Sequence, residues 1–388
     1  MKDKKLVISV LSFLLALIML AGFFIPKKVA SVSAMQKENE CLAKSMCVIE
    51  QYSRRVLMEK KKDDKLPMAS TTKIMTALVA LENCNDLDEV FSTDNRAVGI
   101  EGTSIYLRKD EKLSMRELLY GLMLNSGNDA AMAIAYRIGK GKVEDFVDLM
   151  NEKVKELKLE NTHFDNPHGL DSKSHYTSSY DLAVITAKAM ENKDFREIVK
   201  TDVKEISAPN EIGHRFVRNK HKLLKTMIGC EGVKTGFTDN ARRCCVTSCY
   251  RDGMRLICVV LNCNDMFEES QKCLEQCYKE YHMEKVYEPY QYVGNTLVND
   301  GTKERVDLYI KEGFSYPVNE EEKNLIKAEV KFDDVVDAPF DKDKEVGEVL
   351  VTFDGNMINK QSVYTIEGVK QKSIADKAKD IFDQWYLN

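Results

Sequence analysis

Three short stretches, each occurring once in the chain, limit what it can fold into more than any other feature: Ser70-Thr71-Thr72-Lys73, Ser126-Gly127-Asn128 and Lys234-Thr235-Gly236. The first lies in a run from Pro67 to Glu82 whose apolar residues at 74, 75, 78 and 81 keep a helical period. Pro67 suits an extended approach just upstream of a helix start. Ser70 then falls near the helix N-terminus with Lys73 one turn later, on the same face, so the amine can reach the hydroxyl. A serine hydroxyl is a poor nucleophile until a base removes its proton, and a lysine desolvated among cations can act as that base. Alone, a Ser-x-x-Lys is usually a capping serine followed by a solvated lysine. Here the second stretch falls in a turn between two helices and the third on a strand. The fold must therefore bring a helix start, a helix–helix turn and a strand to one place.

The chain has 388 residues, enough for two or three domains, and a net charge of -5 that offers no nucleic-acid surface. Lys2, Lys4 and Lys5 precede an apolar run from Leu6 to Ile25, and Val32-Ser33-Ala34 supplies small residues at signal-peptidase spacing. Residues 1–34 read as a signal peptide cleaved after Ala34, with an uncleaved anchor as the alternative. In either case the remainder is exported to the outer face of the cytoplasmic membrane or the cell wall. Eleven cysteines are many for such a chain, and no Cys-x-x-Cys or Cys/His set has zinc-site spacing, so no metal or other cofactor is expected. With Asp252-Gly253 as a two-residue turn, Cys249 faces Leu256 and Thr247 faces Cys258, so Cys245, Cys249 and Cys258 do not oppose one another. Buried free thiols packing as small apolar residues fit this pattern.

Residues 35–287 read as one α/β (α+β) domain. Strands at 47–50 and 55–58 form a hairpin before the Ser70 helix. Ser114 and Glu117 make a capping box that opens a helix through Met123. Further helices fall at 129–138, 142–157 and 180–190, followed by strands near 203–206, 232–238, 245–250 and 255–261 and a helix from about 268 to 283. Helices gathered between N- and C-terminal strands argue for a mostly antiparallel sheet with a helical cluster. Residues 288–368 hold short strand-like pieces broken by turns, a small all-β domain. Residues 369–388 include Ile374, Ala378, Ile381, Phe382 and Trp385 at helical spacing, an amphipathic helix that could lie against a membrane surface or pack on the β-domain.

The trio of motifs resembles that of penicillin-binding proteins and class A β-lactamases. The resemblance implies that Ser70 is acylated, Lys73 accepts its proton, and the Ser126 hydroxyl relays a proton to the leaving amine. Asn128 would hold a substrate amide, Lys234 and Thr235 a substrate carboxylate, and Gly236 would let the substrate lie along the strand edge. The oxyanion would rest between the backbone N–H groups of Ser70 and Phe237. Beyond the trio, the chain resembles the low-molecular-mass penicillin-binding proteins that are serine-type D-alanyl-D-alanine carboxypeptidases. The likeness extends through Asn166-Pro167-His168-Gly169-Leu170-Asp171, His175-Tyr176-Thr177 and Tyr180-Asp181-Leu182-Ala183. In the second domain Ala338-Pro339-Phe340, Val346-Gly347-Glu348 and Phe353-Asp354-Gly355 look like the family's C-terminal β-domain. The resemblance implies a transpeptidase-like fold, peptidoglycan stem peptides as substrates, and β-lactam antibiotics as covalent inhibitors.

Two departures stand out. Gly127 takes a place usually held by alanine, and His221, in Asn219-Lys220-His221-Lys222, takes one usually held by asparagine and puts a substrate-side contact in question. A class A-like β-lactamase would need a glutamate on a loop between the second and third motifs, and residues 161–171 hold no Glu-x-x-Leu-Asn. A catalytically silent wall-binding module is the other alternative, and the intact Ser70, Lys73, Ser126, Asn128 and Lys234 argue against it.

Overall fold

The architecture follows from a sheet whose central strands are buried on both faces between two helical coats. The computed structural model describes residues 41–209 and 213–386, so the predicted signal segment lies outside the described residues. β1 (Ser45–Glu50) and β2 (Val56–Lys60) form the expected hairpin. A 3₁₀ turn, Ala69–Thr72, then feeds α1 (Lys73–Asn83), so Ser70 sits in the turn and the α-helix begins at Lys73 itself. After β3 (Val90–Ser92) and β4 (Lys112–Ser114) come α2 (Met115–Leu124), α3 (Asn128–Ile138), α4 (Val143–Glu156), α5 (Ser179–Ala189) and α6 (Lys193–Lys200). The capping box of Ser114 and Glu117 opens α2 as the sequence indicates. A ribbon of β5 (Val203–Ile206) and β6 (Arg215–Arg218) and the single turn α7 (Leu223–Thr226) lead to β7 (Cys230–Thr238), β8 (Arg242–Arg251), β9 (Met254–Leu261) and α8 (Met266–Glu280).

The main sheet has the order β2-β1-β9-β8-β7, and every neighbouring pair is antiparallel. Ile49, Val246, Ile257 and Val259 face one coat, where α1 contributes Ile74, Met75 and Leu78. Met46, Val48, Cys245, Cys258 and Val260 face the other, against Cys273, Leu274 and Cys277 of α8. Strands buried on both faces need no polar–apolar alternation, which is why β9 is buried at every position. All eleven cysteines are free thiols, and all nine buried ones lie in these two core clusters. The registers Cys249↔Leu256 and Thr247↔Cys258 are those the Asp252-Gly253 turn dictates, while Cys230 opposes Cys249 across β7 and β8.

One expectation needs correction at an element end, and one helix went unexpected. α8 stops at Glu280 rather than near Met283, because His282 and Met283 begin β10 (His282–Tyr287), whose pairing with β13 (Phe314–Val318) competes for those residues. The short helix α6 was not legible at all. It buries Phe195, Ile198 and Val199 at helical spacing, but in eight residues that is a single repeat, short of the roughly 11–18-residue window over which a period can be judged.

The remaining strands, β11 (Tyr292–Asn299), β12 (Arg305–Ile310), β14 (Ile326–Phe332), β15 (Val335–Asp337), β16 (Glu345–Phe353) and β17 (Asn356–Thr365), form a sheet ordered β14-β16-β17-β12-β11-β15. Val298, Leu308, Val349, Val351 and Val363 fill its core. Helix α9 (Ile374–Tyr386) follows, with Ile374 and Phe382 exposed. No described helix is long and apolar enough to cross a membrane.

Candidate active site

The 3₁₀ turn is fixed before the chemistry begins. Thr71 Oγ1 donates to Met68 O at 2.6 Å and Thr72 Oγ1 to Ala69 O at 2.8 Å. Asp165 N donates to His175 Nδ1 at 3.0 Å, which leaves the proton on Nε2 to reach Thr72 Oγ1 at 2.8 Å. Ala69 itself has φ 49°, a left-handed conformation that costs an alanine about 1–2 kcal/mol and persists because its surroundings fix it. Two glycines permit the close packing around this turn. At Gly236 a Cβ would lie 2.9 Å from Ser70 N, so only glycine lets β7 press against the nucleophile. At Gly169, with φ +93°, a Cβ would lie 2.0 Å from Ala69 O.

Lys73 is fully buried, and its Nζ lies 2.9 Å from Ser70 Oγ, 2.7 Å from Asn128 Oδ1 and 2.6 Å from His168 O. Burial pushes its pKa well below the ordinary lysine value, and the charges of Lys234 and Lys220 add to this, against an opposing pull from Asp129. A neutral amine keeps two N–H bonds for Asn128 Oδ1 and His168 O. Its lone pair is then left facing the Ser70 hydroxyl, the geometry a general base requires.

Ser126 is buried at the turn between α2 and α3, with φ 65°. Its carbonyl accepts from Thr103 Oγ1 at 2.6 Å, while Asn128 N donates to Thr103 O at 2.7 Å and Asn128 Nδ2 to Glu101 O at 2.6 Å. Beneath them the buried Asp129 carboxylate accepts from Ser104 Oγ at 2.5 Å and from Ile105 N and Leu107 N at 3.0 Å each. Asn128 thus orients Lys73 and retains one N–H for a ligand. Among the described residues Ser126 Oγ makes no hydrogen bond to Ser70, Lys73 or Lys234; the link already in place runs from Ser70 through Lys73 to Asn128.

Lys234 is buried on β7 and donates to Thr235 O at 2.8 Å. Burial, then the charge of Lys220, lowers its pKa from 10.5 to about 7. β7 is an edge strand of the main sheet, so its outer N–H and C=O groups are free to take an extended ligand as an added strand. Phe237, next along the strand, is exposed there. Ser70 and Gly236 are in contact through the backbone, so the N–H groups of Ser70 and Phe237 come from adjoining segments.

The eight sequence-derived residues therefore gather on the turn before α1, the α2–α3 turn and the free edge of β7. Two contributors went unrecognised in the sequence. Lys220 acts through its charge on both buried amines, and its neighbouring place to β7 in space gives no local signal. His168 acts through a backbone carbonyl, which no side-chain motif can reveal. His221 is buried, with Nε2 3.2 Å from Val246 O and its ring edge-on to Phe267. Its Nε2 is spent on β8 and its ring packs on α8, while Nδ1 is buried without a hydrogen-bond partner among the described residues, so Nε2 makes no substrate contact in place of an asparagine. Among the described residues no cluster suits a metal ion.

Comparison with known proteins agrees with this geometry. The family described as "D-alanyl-D-alanine carboxypeptidase" matches residues 31–265, and "Penicillin-binding protein 5, C-terminal domain" matches residues 281–371. The D-alanyl-D-alanine carboxypeptidase DacF of Bacillus subtilis is 31% identical over 351 residues, covering 88% of this chain and 90% of that protein. DacC of Escherichia coli is 29% identical over 364 residues, 89% of each. Among solved structures, penicillin binding protein 5 from Haemophilus influenzae covers 86% of this chain and 98% of its own, with a TM-score of 0.70 and 26% identity. The Streptomyces K15 DD-transpeptidase covers 61% of this chain and 95% of its own, with a TM-score of 0.56 and 32% identity. With an antiparallel sheet, a Ser–Lys pair at its edge and a following β-domain, the chain belongs to the D-alanyl-D-alanine carboxypeptidase family of low-molecular-mass penicillin-binding proteins.

Proposed function

We propose that Ser70 is the nucleophile of a two-step hydrolysis in which this serine-type D-alanyl-D-alanine carboxypeptidase carries the shortened peptide as an ester. Lys73 in its neutral form takes the hydroxyl proton as Oγ attacks the penultimate carbonyl. The tetrahedral oxyanion sits between the Ser70 and Phe237 N–H groups. Collapse expels the terminal D-alanine as an amine, which receives a proton through the Ser126 hydroxyl. Water, deprotonated along the same route, then attacks the ester and returns the proton to Ser70. Lys234 in its charged form and Thr235 hold the terminal carboxylate, Asn128 a substrate amide, and Gly236 lets the peptide lie against β7.

The observation that carries this reading is the 2.9 Å approach of a fully buried Lys73 amine to Ser70 Oγ, with its other two contacts being acceptors. Peptidoglycan stem peptides are the substrates and β-lactams the covalent inhibitors. Residues 1–34 direct export, residues 35–287 carry the chemistry, residues 288–368 form the β-domain, and residues 369–388 form an amphipathic helix that meets a membrane surface or packs on the β-domain.

The test is release of D-alanine from a diacetyl-L-lysyl-D-alanyl-D-alanine peptide by the parent chain and by Ser70→Ala and Lys73→Ala. Both variants lose release by at least about 1,000-fold while keeping their circular dichroism, in line with losses of catalytic nucleophiles and bases. Parent release no faster than either variant would refute the assignment. Rapid turnover of penicillin with no release from the peptide would favour a β-lactamase, and neither reaction would favour a silent module.

A further inference from the structure

The exposed stretch Glu101-Gly102-Thr103 is bonded to the turn between α2 and α3. Thr103 Oγ1 donates to Ser126 O at 2.6 Å, Asn128 N to Thr103 O at 2.7 Å and Asn128 Nδ2 to Glu101 O at 2.6 Å. Asn125 Nδ2 adds a bond to Ser104 O at 2.8 Å. Between the two carbonyls that hold Asn128 lies Gly102, with φ +95°. A Cβ there would lie 2.6 Å from Asn128 Nδ2 and 3.7 Å from Asn128 Cγ, and beyond its chain neighbours it would meet nothing else within 4 Å.

The orientation of the Asn128 amide decides whether Lys73 can serve as a base. A carbonyl only accepts, so Glu101 O selects the NH2 end of Asn128 and sends Oδ1 to Lys73 Nζ at 2.7 Å. Asn128 is only 3% exposed, so an Nδ2 that lost Glu101 O would be left short of a partner. Neutral Lys73 spends one N–H on Oδ1 and the other on His168 O at 2.6 Å, and its lone pair is left for the Ser70 hydroxyl at 2.9 Å. Turned the other way, the amide would present an N–H to Lys73. The lone pair would accept it, and Ser70 would lose its base.

We infer that Gly102 is a positioning residue for the base: the absence of a side chain lets Glu101 O close on Asn128 and fix its amide with Oδ1 toward Lys73. The inference rests on the carboxypeptidase reading above, in which neutral Lys73 takes the Ser70 proton.

The experiment sets Gly102→Ala beside Gly99→Ala. Gly99 has φ +77° with nothing within 4 Å of a Cβ, so its variant carries the same kind of backbone strain but leaves Asn128 alone. Release of D-alanine from diacetyl-L-lysyl-D-alanyl-D-alanine and acylation by penicillin are both followed against pH. In Gly102→Ala both rates fall about thirtyfold or more, as they do when a catalytic group is misplaced, and in Gly99→Ala they stay within about threefold. The acidic limb of the acylation rate also moves to lower pH in Gly102→Ala, because charged Lys73 has lost a carbonyl acceptor and gives up its proton more readily. The other groups facing Lys73 are the charges of Lys234, Lys220 and Asp129 and the neutral imidazoles of His168 and His175, which both variants keep, so the limb reports the amide. Should Gly102→Ala fail to fold, Gly102→Asn takes its place beside Gly99→Asn, since asparagine tolerates positive φ yet still carries a Cβ. Rates kept in the Gly102 variant, equal losses in the paired variants, or a loss with the acidic limb unmoved would overturn the inference. A parent chain that penicillin acylates but that releases no D-alanine would instead overturn the carboxypeptidase reading, and the acylation rates would still decide the role of Gly102.

Discussion

The reactivity proposed for Ser70 depends on how the protein treats three amines. Lys73 and Lys234 are buried with little to offset the loss of water, and Lys220, half-buried, adds positive charge to both. Rate against pH should then be bell-shaped, rising as Lys73 loses its proton and falling as Lys234 loses its own near pH 7 in the free enzyme. Lys220→Gln removes a repelling charge, so both amines hold protons more tightly and both limbs of kcat/KM move to higher pH. Limbs that stay in place would show that Lys220 is too distant to matter. The buried cation also has a stability cost. Between about 7 and 10.5 the unfolded chain binds a proton at Lys234 that the folded chain does not, so this group makes stability rise with pH across that window. At pH 7 or below the full penalty applies, and Lys234→Met should therefore raise Tm while losing at least about tenfold in kcat/KM, the exchange expected at an active site. A lowered Tm would mean that the Lys234–Thr235 hydrogen bond outweighs desolvation.

At the level of elements, β7 and the 3₁₀ turn before α1 touch through backbone, and the proposed chemistry depends on that contact. Gly236→Ala places a methyl group about where Ser70 N and Thr71 N already sit, at 2.9 and 3.1 Å. Neither neighbour is a flexible side chain, so β7 must draw back, at an expected cost of about 1–3 kcal/mol by urea unfolding and a larger proportional loss in acylation rate. Full acylation in that variant would show that the oxyanion donors do not depend on this contact. The elements themselves were largely readable from the sequence. The Asp252-Gly253 turn set the β8–β9 register, the Ser114–Glu117 box set the start of α2, and the three motifs marked the turn, the helix junction and the edge strand. What could not be read were features with no local pattern. The 3₁₀ form of residues 69–72 depends on Thr72 meeting His175, more than a hundred residues later, and the Lys73–His168 contact is made by a carbonyl. His221 shows the converse, since its side chain turned inward for reasons that only the packing of Phe267 reveals.

Across the whole described molecule, the catalytic part and the β-domain are joined at Arg55, just ahead of β2. Its guanidinium lies 2.5 Å from Glu322 and stacks on Phe353 at 4.5 Å, Tyr316 at 5.4 Å and Tyr281 at 5.5 Å. The pair is nearly buried, with side chains 12% and 8% exposed, so removing one partner strands a charge. Arg55→Ala should split thermal unfolding into two calorimetric transitions and lower the earlier one, leaving penicillin acylation near the parent rate. A single unshifted transition would show that the two parts are coupled elsewhere. No local sequence feature marks this junction, because its partners lie more than two hundred residues apart and meet only in the fold. The central claim concerns one atom, Ser70 Oγ, and intact-mass spectrometry after exposure to penicillin tests it most directly. One adduct per chain, mapped by digestion to the peptide containing Ser70 and absent from Ser70→Ala, is the predicted result; an adduct on any other residue, or none, would contradict it.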